Sequence, residues 1–246
     1  MDSEILARVQ FAFSEIETGR FGVRAGRCDD FRAGEWDRLA SEIATHRCQL
    51  VTIRCDAAEL EAAQTVIAHG GNLMDTVVTM EAAPLAALAS AHARPAEIRR
   101  GSAADAAHVD GLAREAFSDY VNHYRADPRL DPAAVTDAMA EWTVSFTKSA
   151  AAHAILLGQD NVAAVAFAAM AVTGDTAEGI LHGVSTAARG KGWYRALLIA
   201  GMHWGVEHGC TRMTVTTQLH NMTTQRTMAS LGMRICDARY TFHMWV

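Results

Sequence analysis

Apolar and polar positions divide the chain into two regions of helices and strands. In the first region, apolar positions at helical spacing predict a helix over residues 31–46. Strands are predicted at 49–55 and 72–82, with a helix at 56–71 between them that Asp56 would cap. The pattern is β-α-β, without a charged cluster or a phosphate-binding loop.

The second region follows a segment at residues 83–97 that is rich in alanine and holds two of the four prolines. We place a domain boundary there. The sequence thus predicts a smaller amino-terminal α/β domain at 1–93 and a larger domain at 94–246. We expect the first domain to pack on the second.

The larger domain reads β-α-α-β-β-β-α-β-α-β. Its predicted strands are 97–102, 152–157, 162–172, 177–185, 211–217 and 238–246, and its helices 103–117, 133–149, 190–208 and 221–232. The strand at 162–172 is almost wholly apolar, as expected where both faces are buried. Asn221 is the predicted N-cap of the last helix. This order indicates an α/β (α+β) fold, a mixed sheet with helices packed on it.

Composition narrows the possible functions. Of 246 residues, 50% are apolar and 20% charged, with a net charge of −6. Nonspecific nucleic-acid binding needs a basic surface, and the longest apolar run is too short for a membrane helix. Five scattered cysteines show no metal-binding spacing, and the acidic first residues do not resemble a signal peptide. We therefore expect a cytoplasmic protein with reduced thiols, no metal, and neither nucleic acid nor membrane as a partner.

The stretch "STAARGKGWYRALL", residues 185–198, joins a predicted strand to a predicted helix. The first turn of a helix offers unpaired N–H groups and the positive end of its dipole. Arg189 and Lys191 add charge, while Gly190 and Gly192 let the backbone approach a ligand closely. A pyrophosphate fits this arrangement, although the stretch matches neither the P-loop nor the dinucleotide pattern, and a plain helix cap is the alternative.

Val184 and the following loop resemble the acetyl-CoA loop of the GNAT acyltransferase superfamily, commonly written [RQ]-x-x-G-x-[GA]. A second stretch, "TTQLHNMTTQRTMASLGM" at 216–233, is similar to that family's strand and the helix beginning at asparagine. The resemblance covers residues 95–246. It implies the GNAT fold, a mixed central sheet that splays and is flanked by helices, and N-acetyltransferase activity with acetyl-CoA as donor.

The same resemblance implies which residues hold the cofactor. Backbone groups around Val184 would pair with pantetheine, and loop N–H groups would hold the pyrophosphate. The predicted cofactor-binding residues are Val184, Arg189, Gly190, Lys191, Gly192, Trp193, Tyr194 and Asn221. Tyr194 departs from the pattern, which has glycine or alanine there. Trp193 and Tyr194 would either pack the helix or border the cofactor.

Residues 17–27, 116–131 and the carboxyl terminus resemble the dTDP-fucosamine (dTDP-4-amino-4,6-dideoxygalactose) N-acetyltransferase group. This implies a small-molecule primary amine as acceptor, for example that of a nucleotide-linked amino sugar, which attacks the thioester directly in a ternary complex. A homodimer is implied by the same resemblance. In that group a tyrosine is thought to protonate the departing thiolate, and Met228 stands at its position here.

Alternation along the strand places residues 178, 180, 182 and 184 on one face. Glu178 and His182 are therefore the candidate bases, and an unperturbed histidine pKa near ~6.5 suits proton transfer at neutral pH. Tyr240, His243 and Tyr194 are the candidate acids. A core or surface histidine, a solvated strand end and a packed aromatic ring are the alternatives for His182, Glu178 and Tyr240.

Tyr120, His123 and Tyr124 lie in a predicted loop at 118–132, with Trp142 on the next helix and His243 on the last strand. Loops carry binding residues disproportionately, so we assign to these five residues the binding of the acceptor amine. Aromatic anchors covering the core are the alternative. Two other functions also stay open: a GNAT enzyme for an amino acid, antibiotic or protein side chain, and a non-catalytic acyl-CoA-binding module.

Overall fold

The computed structural model describes residues 10–148 and 152–246. The first nine residues of the predicted amino-terminal domain, and the last residue of the helix predicted at 133–149, lie outside them. The described residues form two compact units. The first comprises 10–77, Val121–Ala134 and Ala238–Val246, and the second Val78–Tyr120 and Val135–Asp237. The boundaries inferred from the sequence, 1–93 and 94–246, stay predictions.

The elements are numbered in chain order. The strands are β1 (Phe11–Ser14), β2 (Ala25–Cys28), β3 (Leu50–Asp56), β4 (Asn72–Ala82), β5 (Ile98–Arg100), β6 (His153–Gln159), β7 (Ala164–Thr173), β8 (Thr176–Val184), β9 (Arg212–Gln218) and β10 (Arg234–Trp245). The helices are α1 (Glu15–Phe21), α2 (Trp36–His46), α3 (Leu60–Ala68), α4 (Leu85–Ser90), α5 (Ala106–Phe117), α6 (His123–Ala126), α7 (Pro132–Ser145), α8 (Trp193–Glu207) and α9 (Met222–Ser230). None of the helices in the described ranges is long and apolar enough to cross a membrane.

In the first unit, the strands are ordered β1-β2-β3-β10, with β2 parallel to β3 and the other pairs antiparallel. Alternate residues of β3 and β10, such as Ile53 and Phe242, face a core shared with α2 and α3. The sequence analysis did not predict β1, α1 or β2. Four-residue strands are too short to show a clear alternation, which is why the pattern missed them.

In the second unit, the strands are ordered β4-β9-β8-β7-β6-β5. Only β8 and β9 pair in parallel among the registered pairs from β5 to β9. Ala166, Ala168 and Met170 of β7 pack with α8 in one core cluster. Ala169 and Ala171 of the same strand pack with α5 and α7 in another. The predicted mixed sheet flanked by helices is confirmed, as is burial of β7 on both faces.

Two predicted helix caps and one predicted loop can be compared with the structure. Asp56 does not cap α3, which begins at Leu60; its carboxylate instead accepts the N–H of Ala58 at 2.8 Å. The predicted loop at 118–132 contains the short helix α6. Asn221 is confirmed as the N-cap of α9, because its side chain accepts the N–H of Thr224 at 3.4 Å.

Candidate functional site

A β-bulge on β8 changes the direction of the candidate side chains. Gly179 pairs with Met170 and Leu181 with Ala169, so Ile180 is an extra residue on β8. Cross-strand partners share a face of a sheet. Met170 and Ala169 face opposite cores, and therefore Gly179 and Leu181 do so as well.

The bulge separates the two candidate bases. Glu178 is paired with Ala171, on the face covered by α5 and α7, whereas His182 is paired with Ala168, on the face covered by α8. The prediction that residues 178, 180, 182 and 184 share one face is therefore wrong, because one inserted residue reverses the alternation. Val184 lies on the face of His182, and the roles of Glu178 and His182 stay predictions.

The strands β8 and β9 separate directly after Gly179. Their register runs from the pair Thr176–Arg212 to the pair Gly179–Val215. In the described parts of the chain no further pair joins them, although β8 continues to Val184 and β9 to Gln218. We call the space between these diverging ends the β8–β9 opening. It is the splay that the sequence resemblance implied.

His182 lies at the closed end of the opening. A Cβ atom on Gly179 would lie 2.5 Å from Cε1 of His182, so the imidazole occupies space that only glycine leaves free. Its Nε2 atom is buried without a hydrogen-bond partner among the described residues. Burial lowers the pKa of His182 to about 4. The ring is therefore neutral at neutral pH, and the unperturbed pKa assumed from the sequence does not apply.

The loop after β8 presents backbone N–H groups. Gly190 and Gly192 have φ angles of 77° and 85°, in the left-handed region that favours glycine. Within the described ranges, no backbone acceptor bonds the N–H groups of Gly190, Gly192, Trp193 and Tyr194. Nothing lies within 4 Å of an added Cβ at either glycine, so the loop is open to a ligand.

Charge on this loop is partly paired. The guanidinium of Arg189 lies 3.3 Å from the carboxylate of Asp119. Lys191 helps to lower the pKa of Asp160, after the backbone hydrogen bonds of Ala163 and Val162. Free N–H groups, a helix amino terminus and two cations fit a pyrophosphate. The helix begins at Trp193, three residues later than predicted.

Trp193 and Tyr194 both pack against the protein. A Cβ atom on Gly158 of β6 would lie 2.9 Å from the ring of Trp193. The ring of Tyr194 meets that of His182 edge-on, with 5.4 Å between centroids. The hydroxyl of Tyr194 is buried and has no partner among the described residues, and burial raises its pKa.

Of the predicted acceptor residues, Tyr120 lies in the second unit beside this opening. Its hydroxyl donates a hydrogen bond to the side-chain oxygen of Gln218, at the end of β9. The sequence analysis quoted Gln218 within a motif but did not assign it a role. Trp142 is 42% exposed on α7 and makes no ring contact with Tyr120 in the described structure.

His123 and His243 belong to a buried chain of hydrogen bonds in the first unit. Arg54 Nη2 lies 3.2 Å from His123 Nε2, and since arginine can only donate, this nitrogen accepts. His123 Nδ1 therefore donates to His243 Nε2 at 2.9 Å. His243 Nδ1 in turn donates to Asp127 at 2.8 Å, and Trp245 Nε1 donates to the same oxygen at 2.8 Å.

Tyr124 completes this cluster, which comprises Glu17, Arg54, His123, Tyr124, Asp127, His243 and Trp245. The Tyr124 hydroxyl donates to Glu17, and its ring lies 3.8 Å from that of His123. Burial lowers the pKa of both histidines, with Arg54 adding to the effect at His123 and Asp127 opposing it at His243. His123 and His243 thus bond each other and Tyr124 bonds Glu17, and the role of these three residues in binding the acceptor amine stays a prediction.

Two further predicted site residues, Tyr240 and Asn221, contact other side chains of the protein. Tyr240 packs against the core of the first unit, with its ring 6.3 Å from that of Phe242. The side chain of Asn221 accepts from Thr224 and donates to Thr217 at 3.2 Å. Their catalytic and cofactor roles stay predictions. No cluster of metal-ligand side chains occurs in residues 10–148 and 152–246.

The chain resembles known proteins in sequence and in fold. Residues 113–233 match the Acetyltransferase (GNAT) family. No curated protein matches the sequence.

Solved structures share the fold at low identity. A GCN5-related N-acetyltransferase from Sphaerobacter thermophilus aligns with a TM-score of 0.57 and 15% identity, over 86% of this chain but only 66% of that protein. A GCN5-related N-acetyltransferase from Kribbella flavida gives 0.59 and 14%, over 89% and 80%. A protein of unknown function from Staphylococcus epidermidis gives 0.63 and 11%, over 98% and 93%.

Proposed function

We propose that this chain is an N-acetyltransferase of the GNAT family, which its residues 113–233 match, and that it uses acetyl-CoA to acetylate a primary amine of a small molecule. One observation carries the proposal. Among the described residues, the N–H groups of Gly190, Gly192, Trp193 and Tyr194 have no backbone acceptor, and they lie at the start of α8, beside the β8–β9 opening.

The loop would hold the pyrophosphate of the donor. Backbone donors bind an anion without needing a particular side chain, so a tyrosine at position 194 does not remove the donor group there. Arg189 and Lys191 would add charge, and Arg189 would exchange its contact with Asp119 for the ligand. Bound acetyl-CoA supplies the acetyl group that the acceptor amine attacks.

The residues around the opening are better suited to positioning the amine than to removing a proton from it as a strong base. An attacking amine must be neutral, and His182 with a pKa of about 4 accepts a hydrogen bond but holds a proton weakly. Tyr120 and Gln218 add a polar edge at the open end of β9. Met228 is fully buried among apolar side chains, so it offers no proton donor at the position where the amino-sugar group has tyrosine.

The narrower proposal is that the amine belongs to a nucleotide-linked amino sugar. It rests on the sequence resemblance alone, and an amino acid, an antibiotic or a protein side chain is the other acceptor to test. A homodimer and a cytoplasmic location likewise stay predictions.

The test combines calorimetry with product analysis. Titration of the protein with acetyl-CoA should release or absorb heat, and a panel of amines should yield a product heavier by one acetyl group. Lys191→Gln should weaken donor binding severalfold, whereas Lys148→Gln, outside the loop, should not. Absence of both heat and thermal shift at millimolar acetyl-CoA would reject the proposal. Failure of every dTDP-amino sugar, with turnover of another amine, would reject only the narrower acceptor.

A further inference from the structure

Tyr194 and Tyr120 reach the β8–β9 opening from opposite faces of the sheet. Tyr194 packs with the core on the α8 face, and Tyr120 with the core on the α5 face. Burial raises the pKa of the Tyr194 phenol, and the charge of Tyr120 adds to that shift.

Side chains border the β8–β9 opening at both ends. His182 occupies its closed end beside the Gly179–Val215 pair, and the Tyr194 ring lies edge-on against it. Gln218 borders the open end through its bond with Tyr120. The ring of Tyr194 thus covers His182 on the α8 face of the sheet.

Two polar atoms of the side chains beside the opening are unsatisfied. The hydroxyl of Tyr194 and Nε2 of His182 are both buried without a hydrogen-bond partner in the described residues. Most buried polar groups in proteins are bonded, and one that is not costs free energy. The packing of Tyr194 against His182 is therefore less stable than an arrangement in which both atoms find hydrogen-bond partners.

We propose that Tyr194 is a gating residue, whose phenol closes the β8–β9 opening in the free protein and must swing out before the pantetheine arm of the donor can enter. This inference rests on the proposed function. The sequence pattern that the loop resembles has glycine or alanine at this position, which would leave the opening free. The apparent affinity for CoA is then reduced by the fraction of molecules in which the gate is closed.

Two substitutions of Tyr194 should act in opposite directions. Tyr194→Ala removes the ring and should lower the dissociation constant for CoA roughly tenfold, because binding no longer requires displacement of the gate. Tyr194→Phe keeps the ring but removes the unsatisfied hydroxyl, which stabilises the closed state. It should raise the dissociation constant severalfold, a change of sign that a purely structural role of Tyr194 does not explain.

Calorimetry with CoA and with acetyl-CoA measures these constants. Stopped-flow tryptophan fluorescence, with Trp193 beside the gate, should show faster association for Tyr194→Ala. Trp204→Phe, in the same core and helix but away from the opening, is the matched control and should bind CoA like the wild type. Thermal unfolding confirms that each variant is folded.

The outcomes separate the two proposals. Wild-type protein that binds CoA as tightly and as fast as Tyr194→Ala would overturn the gate and leave the proposed function intact. Binding by Tyr194→Ala alone would support the gate. No binding by the wild type, Tyr194→Ala or Tyr194→Phe, with all of them folded, would overturn the proposed function and the gate together.

Discussion

His123 Nδ1 lies 2.9 Å from His243 Nε2, in the middle of a hydrogen-bond chain with one direction. Arg54 donates into one end and Asp127 accepts at the other, so each imidazole has one proton and one fixed tautomer. A second proton on either ring would meet a donor instead of an acceptor. The chain is therefore complete only while both histidines are neutral.

Acid should destabilise the protein below a pH of about 6.5. The pKa values of His123, His243 and His182 are lowered in the folded state. The unfolded state then binds more protons, so stability falls with decreasing pH, by up to ~1.4 kcal/mol per pH unit for each histidine that stays neutral. Urea unfolding between pH 5 and 8 measures this slope.

A histidine that lacks these surroundings is the control for the acid effect. The slope should be smaller in His243→Gln than in His220→Gln, which replaces an exposed histidine. A free energy of unfolding that is the same at pH 5 and pH 7 would contradict the directional chain.

Asp127→Asn should lower the free energy of unfolding by about 2–4 kcal/mol. The carboxylate oxygen accepts from both His243 and Trp245, and an amide nitrogen in its place would leave buried donors facing a donor. Chemical denaturation monitored by circular dichroism measures the loss. Asp131→Asn is the matched control, because Asp131 is exposed and an asparagine oxygen can still accept the Ala133 N–H.

Gly192→Ala should weaken acetyl-CoA binding and cost about 1 kcal/mol of stability. The φ angle of Gly192 is 85°, and a side chain there would strain the loop that presents the N–H groups. Gly111→Ala, in the interior of α5 with nothing within 4 Å of the added Cβ, should instead stabilise the protein by about 0.5–1 kcal/mol. Equal effects of the two substitutions would speak against a strained loop.

Gly179→Ala should displace His182 and lower acetyl transfer. The new methyl group would lie 2.5 Å from the imidazole and 2.9 Å from Val215, and such overpacking costs about 1–3 kcal/mol. The double variant Gly179→Ala/His182→Ala should recover much of the stability but not the activity. A thermodynamic cycle over the four proteins measures the coupling, and strictly additive effects would rule out the contact.

Local patterns in the sequence were sufficient to predict most strands and helices of the second unit. The apolar run of β7, the cap at Asn221 and the glycines before α8 predicted a mixed sheet and a phosphate-binding loop, because each depends on neighbouring residues only. The family resemblance added the splay between strands. Short strands such as β1 and β2 were missed, since four residues carry too little periodicity.

Only the tertiary structure decided where the candidate side chains lie. The bulge at Ile180 separates Glu178 from His182, and it depends on the register between β8 and β7, which no pattern within one strand encodes. The ring of Tyr194 lies against His182, whose own position depends on the space that Gly179 leaves free. His123 and His243 are 120 residues apart in the chain, and only folding brings their nitrogens within hydrogen-bond distance. The sequence specified the groups available for chemistry, whereas long-range pairing fixed their faces, partners and protonation.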